Sequence, residues 1–442
     1  MKKINEIVDK HRKLILDAER YIWAHPETGY KEFETSKYMA ERFTELGYDL
    51  TYADGITGFY TVIDTGKKGP CILVLGELDS VICPTHKDAN PVTGAVHSCG
   101  HNAQCAALLG IAAALKEDGA LDGLCGKIKL CAVPAEELLE IEYRKGLKEK
   151  GVIKYMGGKS EFLSRGYFDD VDIAFMVHTS SDFATRYKAV GCIAKNVIYK
   201  GLASHAGGSP HLGINALYAA NCGLNAINSL RETFKESDYI RVHPIITAGG
   251  DMVNAIPETV VVESYIRGLT FEAMVRENKK VNRAIVGSAL SLGANVEIID
   301  IPGYAPMNND PQMVDLAKEA FETLFEGETF NVLTDVGTGS TDMGDLSTIM
   351  PIIHPYCGGA RGKGHGNNYE IYDPELACVK CAKWQISMLT LLLRDDAKRA
   401  YKIKSEYKPL FSSKEEFLKF QDDICDSGNR ITYTDGGATV RL

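Results

Sequence analysis

The 442-residue sequence predicts an α/β protein, a mixed sheet flanked by helices, with a smaller α+β unit inserted into it. Three observations lead there. Up to about residue 190, strand-like apolar runs alternate with helical patterns, as in a sheet with helices packed on its faces. Between 191 and 302 the order changes to β-α-β-β-α-β, a ferredoxin-like unit that can close on itself within roughly a hundred residues. From 303 to 442, helical and Gly-rich segments resume and would complete the first architecture. The expected division is therefore 1–190, 191–302 and 303–442, with the first and last parts forming one domain.

The opening MKKINEIVDKHRKLILDAERYIWAHPETG mixes charges with apolar residues at helical spacing, so it predicts a first helix and lacks the unbroken apolar stretch of a signal peptide. Met39, Phe43 and Leu46 share a helical face that Gly47 ends. GFYTVID and PCILVLG then read as strands, CGHNAQCAALLGIAAALKEDG as a helix, KIKLCAVP as a strand, IEYRKGLKEKG as a charged helix and VDIAFMVH as a strand. In the inserted unit CIAKNVIYKG, IRVHPIITAGG, TVVVESYIRG and NVEIID supply the strands. GINALYAANCGLNAINSLRETF and FEAMVRENKKVNRAIVGSALSLG supply its helices. Helices over 311–325 and 374–393 follow, and the tail from Lys402 is polar enough either to pack or to fray.

With 45% hydrophobic and 24% charged residues, the chain can bury a large core or two modest ones, which suits an enzyme. A net charge of −10 and the lack of any Lys/Arg-dense stripe argue against nucleic acid as a partner. Apolar runs such as Ile386 to Leu393 are too short to cross a bilayer, so a soluble protein with no membrane partner is expected. Twelve cysteines at irregular intervals favour reduced thiols and a cytoplasmic location.

The strongest local signal is His97-Ser-Cys99-Gly-His101 at the start of an apolar helix, where a thiolate and an imidazole can face one metal region. Glu136 and Glu137 follow the strand KIKLCAVP, and His178 ends VDIAFMVH; ligands bind outside the carboxyl ends of strands in such sheets. Two adjacent carboxylates repel unless their roles divide, one holding metal and the other carrying a proton. His365 lies in a Gly-rich loop, where backbone can approach a ligand closely. Cys378-Val-Lys-Cys381 has metal-like spacing but falls in a predicted helix without a second pair, and packing explains it better. His11, His86, His211 and His243 find no partner at this level.

Together these residues resemble the M20 metallopeptidases, specifically the amidohydrolase branch with aminoacylase-like, indoleacetyl-amino-acid and p-aminobenzoyl-glutamate hydrolases. The resemblance runs in order through His25-Pro-Glu-Thr-Gly, Gly76-Glu-Leu-Asp79, Cys99-Gly-His-Asn, Pro134-Ala-Glu-Glu, Gly158-Lys, Ala203-Ser-His-Ala, Gly249-Gly-Asp-Met-Val-Asn254, Gly339-Ser-Thr-Asp342 and Gly364-His365. It implies a zinc-peptidase-like fold in which Cys99, His101, Glu137, His178 and His365 bind two divalent ions, with Cys99 bridging. Zn²⁺ or Mn²⁺ would suit those donors, and Co²⁺ is compatible. Glu136 would act as general base and later acid, and Asp79 is counted with the catalytic residues. The implied reaction is hydrolysis of the amide bond of a small N-acyl amino acid or dipeptide-like substrate.

The resemblance further makes the inserted unit a lid and dimerisation domain of a homodimer. His205 would reach the neighbouring subunit's site to stabilise the oxyanion, and Asn254 and Arg267 would hold a substrate carboxylate. Each has a plainer reading: Arg267 could pair with a surface acid and Asn254 could shape the turn before Pro257. Asn102 stands where many relatives carry Asp, so a carboxylate that would orient the histidine is either absent or supplied from elsewhere. The segments 81–96 and 138–156 are longer than usual and are expected to border the cleft. Two alternatives stand beside the amidohydrolase: a dipeptidase for free amino termini, and a non-catalytic metal- or peptide-binding protein, which the intact Glu136 argues against.

Overall fold

The computed structural model describes residues 2–442 and divides into two compact units. The first comprises Met1–Lys188, Met307–Val336 and Thr341–Lys414, and the second Ala189–Pro306, Gly337–Ser340 and Glu415–Leu442. In the first, a six-stranded sheet runs in the order Thr51–Tyr52, Phe59–Asp64, Lys127–Val133, Cys71–Glu77, Ile173–Phe175, Ile352–Ile353. Its four last-named strands are parallel, and Phe59–Asp64 joins them antiparallel. Cys71–Glu77 is buried at every position, as a central parallel strand covered on both faces must be, hence its continuous apolar run. The Ala-rich helix His101–Leu115 is likewise buried throughout and packs between that strand and the helix Arg12–Ala24.

The expected strand VDIAFMVH is broken in two. Ile173–Phe175 stays in the large sheet, while His178–Thr179 pairs with Tyr356–Cys357 in a separate four-stranded sheet. His178 N–H donates to Pro355 O at 2.9 Å, but Pro355 has no N–H to return, so the ladder cannot run on continuously. The C-terminal helix expected over 374–393 is present: Glu375–Leu393 is one 19-residue helical stretch, long and apolar enough by length and composition to cross a membrane. It is 78% buried within the protein, against helices His101–Leu115 and Pro311–Glu322. Cys378 and Cys381 lie on it, fully buried and outside every metal-capable cluster among the described residues.

The second unit is built on an antiparallel sheet ordered Arg241–Val242, Thr259–Gly268, Gly191–Lys200, Asn295–Tyr304, Asp426–Asn429, with Ile245–Ala248 also pairing Thr259–Gly268. Burial alternates along Thr259–Gly268, so one face packs on helices Ala216–Leu230 and Phe271–Ser291. Pro244 divides the expected run IRVHPIITAGG into two short strands. Inside this unit Lys195 is fully buried and pairs with Asp300, which also accepts from Asn278 and Asn282 at 2.8 and 2.9 Å. Residues 415–442 were expected with the catalytic part, but they belong here. Asp426–Asn429 pairs with Asn295–Tyr304, satisfying a row of edge donors and acceptors, and Arg430 locks it with a 2.8 Å bond to Asp426.

Candidate metal centre

The chemistry-bearing residues of the first unit gather at the carboxyl ends of its parallel strands. Cys71–Glu77 ends in Glu77 and leads to Asp79; Lys127–Val133 leads to Glu136 and Glu137; helix His101–Leu115 begins at His101. Gly100, at φ 87°, turns the chain so that Cys99 and His101 serve the same space, and a Cβ there would lie 2.4 Å from the Tyr369 hydroxyl.

Cys99 Sγ is 3.4 Å from His178 Nε2 and 3.3 Å from His365 Nε2, and His365 Nε2 is 3.0 Å from a Glu137 oxygen. Donor atoms of Cys99, His101 and His178 lie within 4.8 Å of one another, as do those of Cys99, Glu137 and His365. All five expected ligands thus form two three-donor sets that share one sulfur.

The second-nitrogen contacts decide which ring atoms face this space. His101 Nδ1 lies 2.9 Å from Asp79 O and 3.2 Å from Asp79 Oδ1, and His178 Nδ1 lies 2.9 Å from Thr179 O. A carbonyl only accepts, so both Nδ1 atoms carry a proton and both Nε2 atoms face the cluster. His101 Nε2 is buried without a hydrogen-bond partner, although Glu77 Oε2 stands 3.1 Å away.

Burial and Glu137 push the Cys99 thiol up, but His101 and His178 outweigh them and bring it down to about 6, so it is a thiolate at neutral pH. A thiolate, two imidazoles fixed through Nδ1 and a carboxylate make a donor set that fits divalent transition ions, which would displace the Nε2 protons on binding. The two glutamates diverge. Burial raises the Glu136 carboxyl well above its ordinary range, with Glu77, Glu137 and Asp342 adding to the effect. Glu137 is lowered despite its burial, by the hydrogen bond and charge of His365.

Asp79, expected among the catalytic groups, is fully buried and turned to the protein. Besides its contacts to His101, its Oδ2 accepts from Glu137 N at 2.8 Å, so one carboxylate orients two of the expected ligand residues. Asn102 points away, donating to Glu19 at 2.8 Å.

Sequence reasoning quoted Glu77, Lys159 and Asp342 within motifs but gave them no role. Lys159 Nζ is 2.6 Å from Glu77 and 2.5 Å from Asp342, and all three side chains are 0% exposed. Glu77, His101 and Glu136 also form a third close set. The available signal was a carboxylate closing an otherwise apolar, central strand. His354 lies with its ring 5.7 Å from that of His178, and burial brings its imidazole down to about 3, so it is neutral. His11 and His86 do have partners, Glu117 and the Tyr369 carbonyl.

The remaining expected residues belong to the second unit. His205 is exposed, and its Nδ1 accepts from Gly207 N at 3.1 Å and Gly208 N at 2.8 Å. The proton of the neutral ring therefore sits on Nε2, which is a free donor. Asn254, also exposed, accepts through its backbone carbonyl from Ala206 N at 2.9 Å, which ties the two loops together. Among the described residues Arg267 pairs with no acid; Nη1 donates to Ser340 Oγ at 2.7 Å.

An α/β sheet that gathers a thiolate, imidazoles and carboxylates at its strand ends defines a metallohydrolase-type centre. The model of peptidase family M20/M25/M40 matches residues 73–390, and the chain belongs to this family. It is 29% identical to human Xaa-Arg dipeptidase over 79% of this chain and 78% of that one, and 31% identical to the mouse enzyme over the same shares. It is 28% identical to the N-acetyl-L-cysteine deacetylase of Bacillus subtilis, over 70% of this chain and 72% of that one. A dinuclear metal-binding M20 peptidase from the same organism shares the fold, with TM-score 0.64 and 20% identity over 87% and 99% of the two chains. So does the aminobenzoyl-glutamate utilization protein of Klebsiella pneumoniae, with TM-score 0.67 and 18% identity over 88% and 98%.

Proposed function

We propose that this protein is a dinuclear metal-dependent amidohydrolase that cleaves the amide bond of a small N-acyl amino acid or dipeptide-like substrate. The observation that carries the reading is the pair of three-donor sets sharing Cys99, with Glu136 beside them in a third close set with Glu77 and His101. Two divalent ions, Zn²⁺ or Mn²⁺, held by Cys99, His101, Glu137, His178 and His365 would supply Lewis acidity to the amide carbonyl and to the attacking water. Glu136 takes a proton from that water and returns it to the leaving nitrogen, a transfer that suits a carboxyl raised by its surroundings. Asp79 holds His101 and Glu137 in register.

The second unit acts as lid and dimerisation domain, with His205 Nε2–H offered to the developing oxyanion in the partner subunit and Asn254 and Arg267 receiving a substrate carboxylate. Self-association is supported by the open strand Ile245–Ala248, exposed at every position, with Ile245 and Met252 about it, while Asp426–Asn429 closes the sheet's opposite edge. Twelve scattered cysteines, all free thiols, support a cytoplasmic location. Hydrolysis of a panel of N-acyl amino acids and dipeptides by metal-loaded protein tests the reading; turnover of free-amino dipeptides alone would favour the dipeptidase, and no turnover the binding protein.

A further inference from the structure

We propose that Arg144, in the long segment 138–156, is a positioning residue of the metal centre that grips the Glu136–Glu137 turn from its backbone side. The inference rests on the two-ion reading above. Arg144 lies on helix Ile141–Glu149 and is 1% exposed. Its Nη2 donates to Glu137 O, and its Nη1 donates to Met156 O at 2.7 Å and to Ala135 O at 3.4 Å. The guanidinium thus holds the carbonyls on both sides of Glu136 and ties them to the far end of the segment. These hydrogen bonds all go to backbone carbonyls, and none goes to a carboxylate. A buried cation whose hydrogen bonds go to carbonyls, with Glu140 acting on it only through charge, is costly to desolvate, so surface charge pairing does not explain it.

The turn needs such a hold. Ala135 has φ 57°, a left-handed conformation uncommon for a residue with a side chain. Its N–H donates to Glu32 at 2.8 Å and the Glu137 N–H donates to Asp79 at 2.8 Å, which fixes the donors of the turn. Arg144 fixes the acceptors. A planar fork can serve divergent carbonyls at once, which a lysine ammonium in the same place would not do as well. The N-terminal motif is shaped to admit it: a Cβ on Gly29 would lie 2.3 Å from Arg144 Nη2 and 2.8 Å from Ala135 Cα. The Tyr30 ring stands 5.5 Å from the guanidinium carbon, and Lys31 and Thr28 both hold Glu140 at the start of the helix. The segment is anchored independently of Arg144 through Tyr30 Oη to Tyr155 O at 3.1 Å and Arg165 to Val152 O at 2.7 Å, so the variant should fold.

The test is a Co²⁺ titration of metal-free protein, followed by its thiolate-to-metal absorption. Wild type should take up two ions. Arg144→Ala should weaken the Glu137-containing site by about 10–100-fold, the range for losing a group that orients a ligand, and leave the other site near wild type. Millimolar guanidinium should restore part of that affinity, and the same concentration of NaCl should not. Arg144→Lys keeps the buried stem and charge and carries the test where the alanine variant does not fold; it should show a smaller weakening of the same site. Wild-type titrations in the folded variants, or equal weakening of both sites without guanidinium rescue, overturn the role of Arg144 alone. Fewer than two ions in wild type would overturn the two-ion reading itself, and this proposal with it.

Discussion

In the first unit Asp79, His101, Glu136 and Glu137 are between 0 and 9% exposed and touch one another's partners, whereas in the second His205 and Asn254 are exposed and meet only neighbouring backbone. Buried charges are costly to desolvate, so they persist only where opposite charges, hydrogen bonds or a bound ion compensate them. The first unit is therefore interlocked before any ligand arrives. The second offers donors that cost little to display and gain purpose only when another surface meets them. The two buried lysines repeat the contrast. Lys159 is held between Glu77 and Asp342 beside the metal cluster, while Lys195 pairs with Asp300 within a sheet and helix core that carries no proposed ligand.

The largest effect should separate the adjacent glutamates. Glu136→Gln is expected to keep both ions and lose on the order of 10²–10⁴ in kcat, the usual cost of removing a general acid–base group. Glu137→Gln should lose metal by elemental analysis. Equal metal loss in the two variants would dissolve the distinction between them.

Breaking one partner of a buried ion pair costs roughly 3–5 kcal/mol, so Lys159→Met and Lys195→Met should both lower stability markedly in denaturant titrations. Only Lys159→Met should also reduce metal occupancy, because Glu77 then stands unpaired against His101. Metal loss in both variants would contradict the contrast between the units.

On the exposed side, His205→Ala should lose about 10²–10³ in rate with metal retained, the scale of an oxyanion donor. Mixing it with Glu136→Gln subunits should restore about a quarter of wild-type activity if the site is shared and dimers form at random. Verified mixed dimers without recovery would return His205 to its own subunit or to a structural role.

The smallest change is one of pH. Lowering the Cys99 pKa to about 6 means that the thiolate persists down to that pH, so alkylation of chelator-treated protein should show its midpoint near pH 6. A midpoint near that of an ordinary thiol would mean that His101 and His178 do not face Cys99 as described.

The order of elements and the first candidate metal ligands were legible from local pattern, and the family resemblance completed the candidate set. An apolar strand ending in Pro134-Ala-Glu136-Glu137 and a helix opening on Cys99-Gly-His101 each announce themselves within a few residues, because periodicity and donor type are local properties. The split of VDIAFMVH was not legible, since it depends on Pro355 lying beside His178 and failing to donate. The place of residues 415–442 depended on an open strand edge more than a hundred residues earlier.

The sequence alone determined the α/β plan with its inserted unit and the family to which its ordered motifs point, and through that resemblance the candidate donor set, because those follow from residue type, spacing and order. Tertiary structure alone decided that Asp79 orients His101 and Glu137, that Lys159 closes a triad with Glu77 and Asp342, and that Arg144 lies behind the glutamate turn. These pairings join residues distant in the chain. Their energies depend on burial and on distances of a few ångströms, which no local pattern encodes.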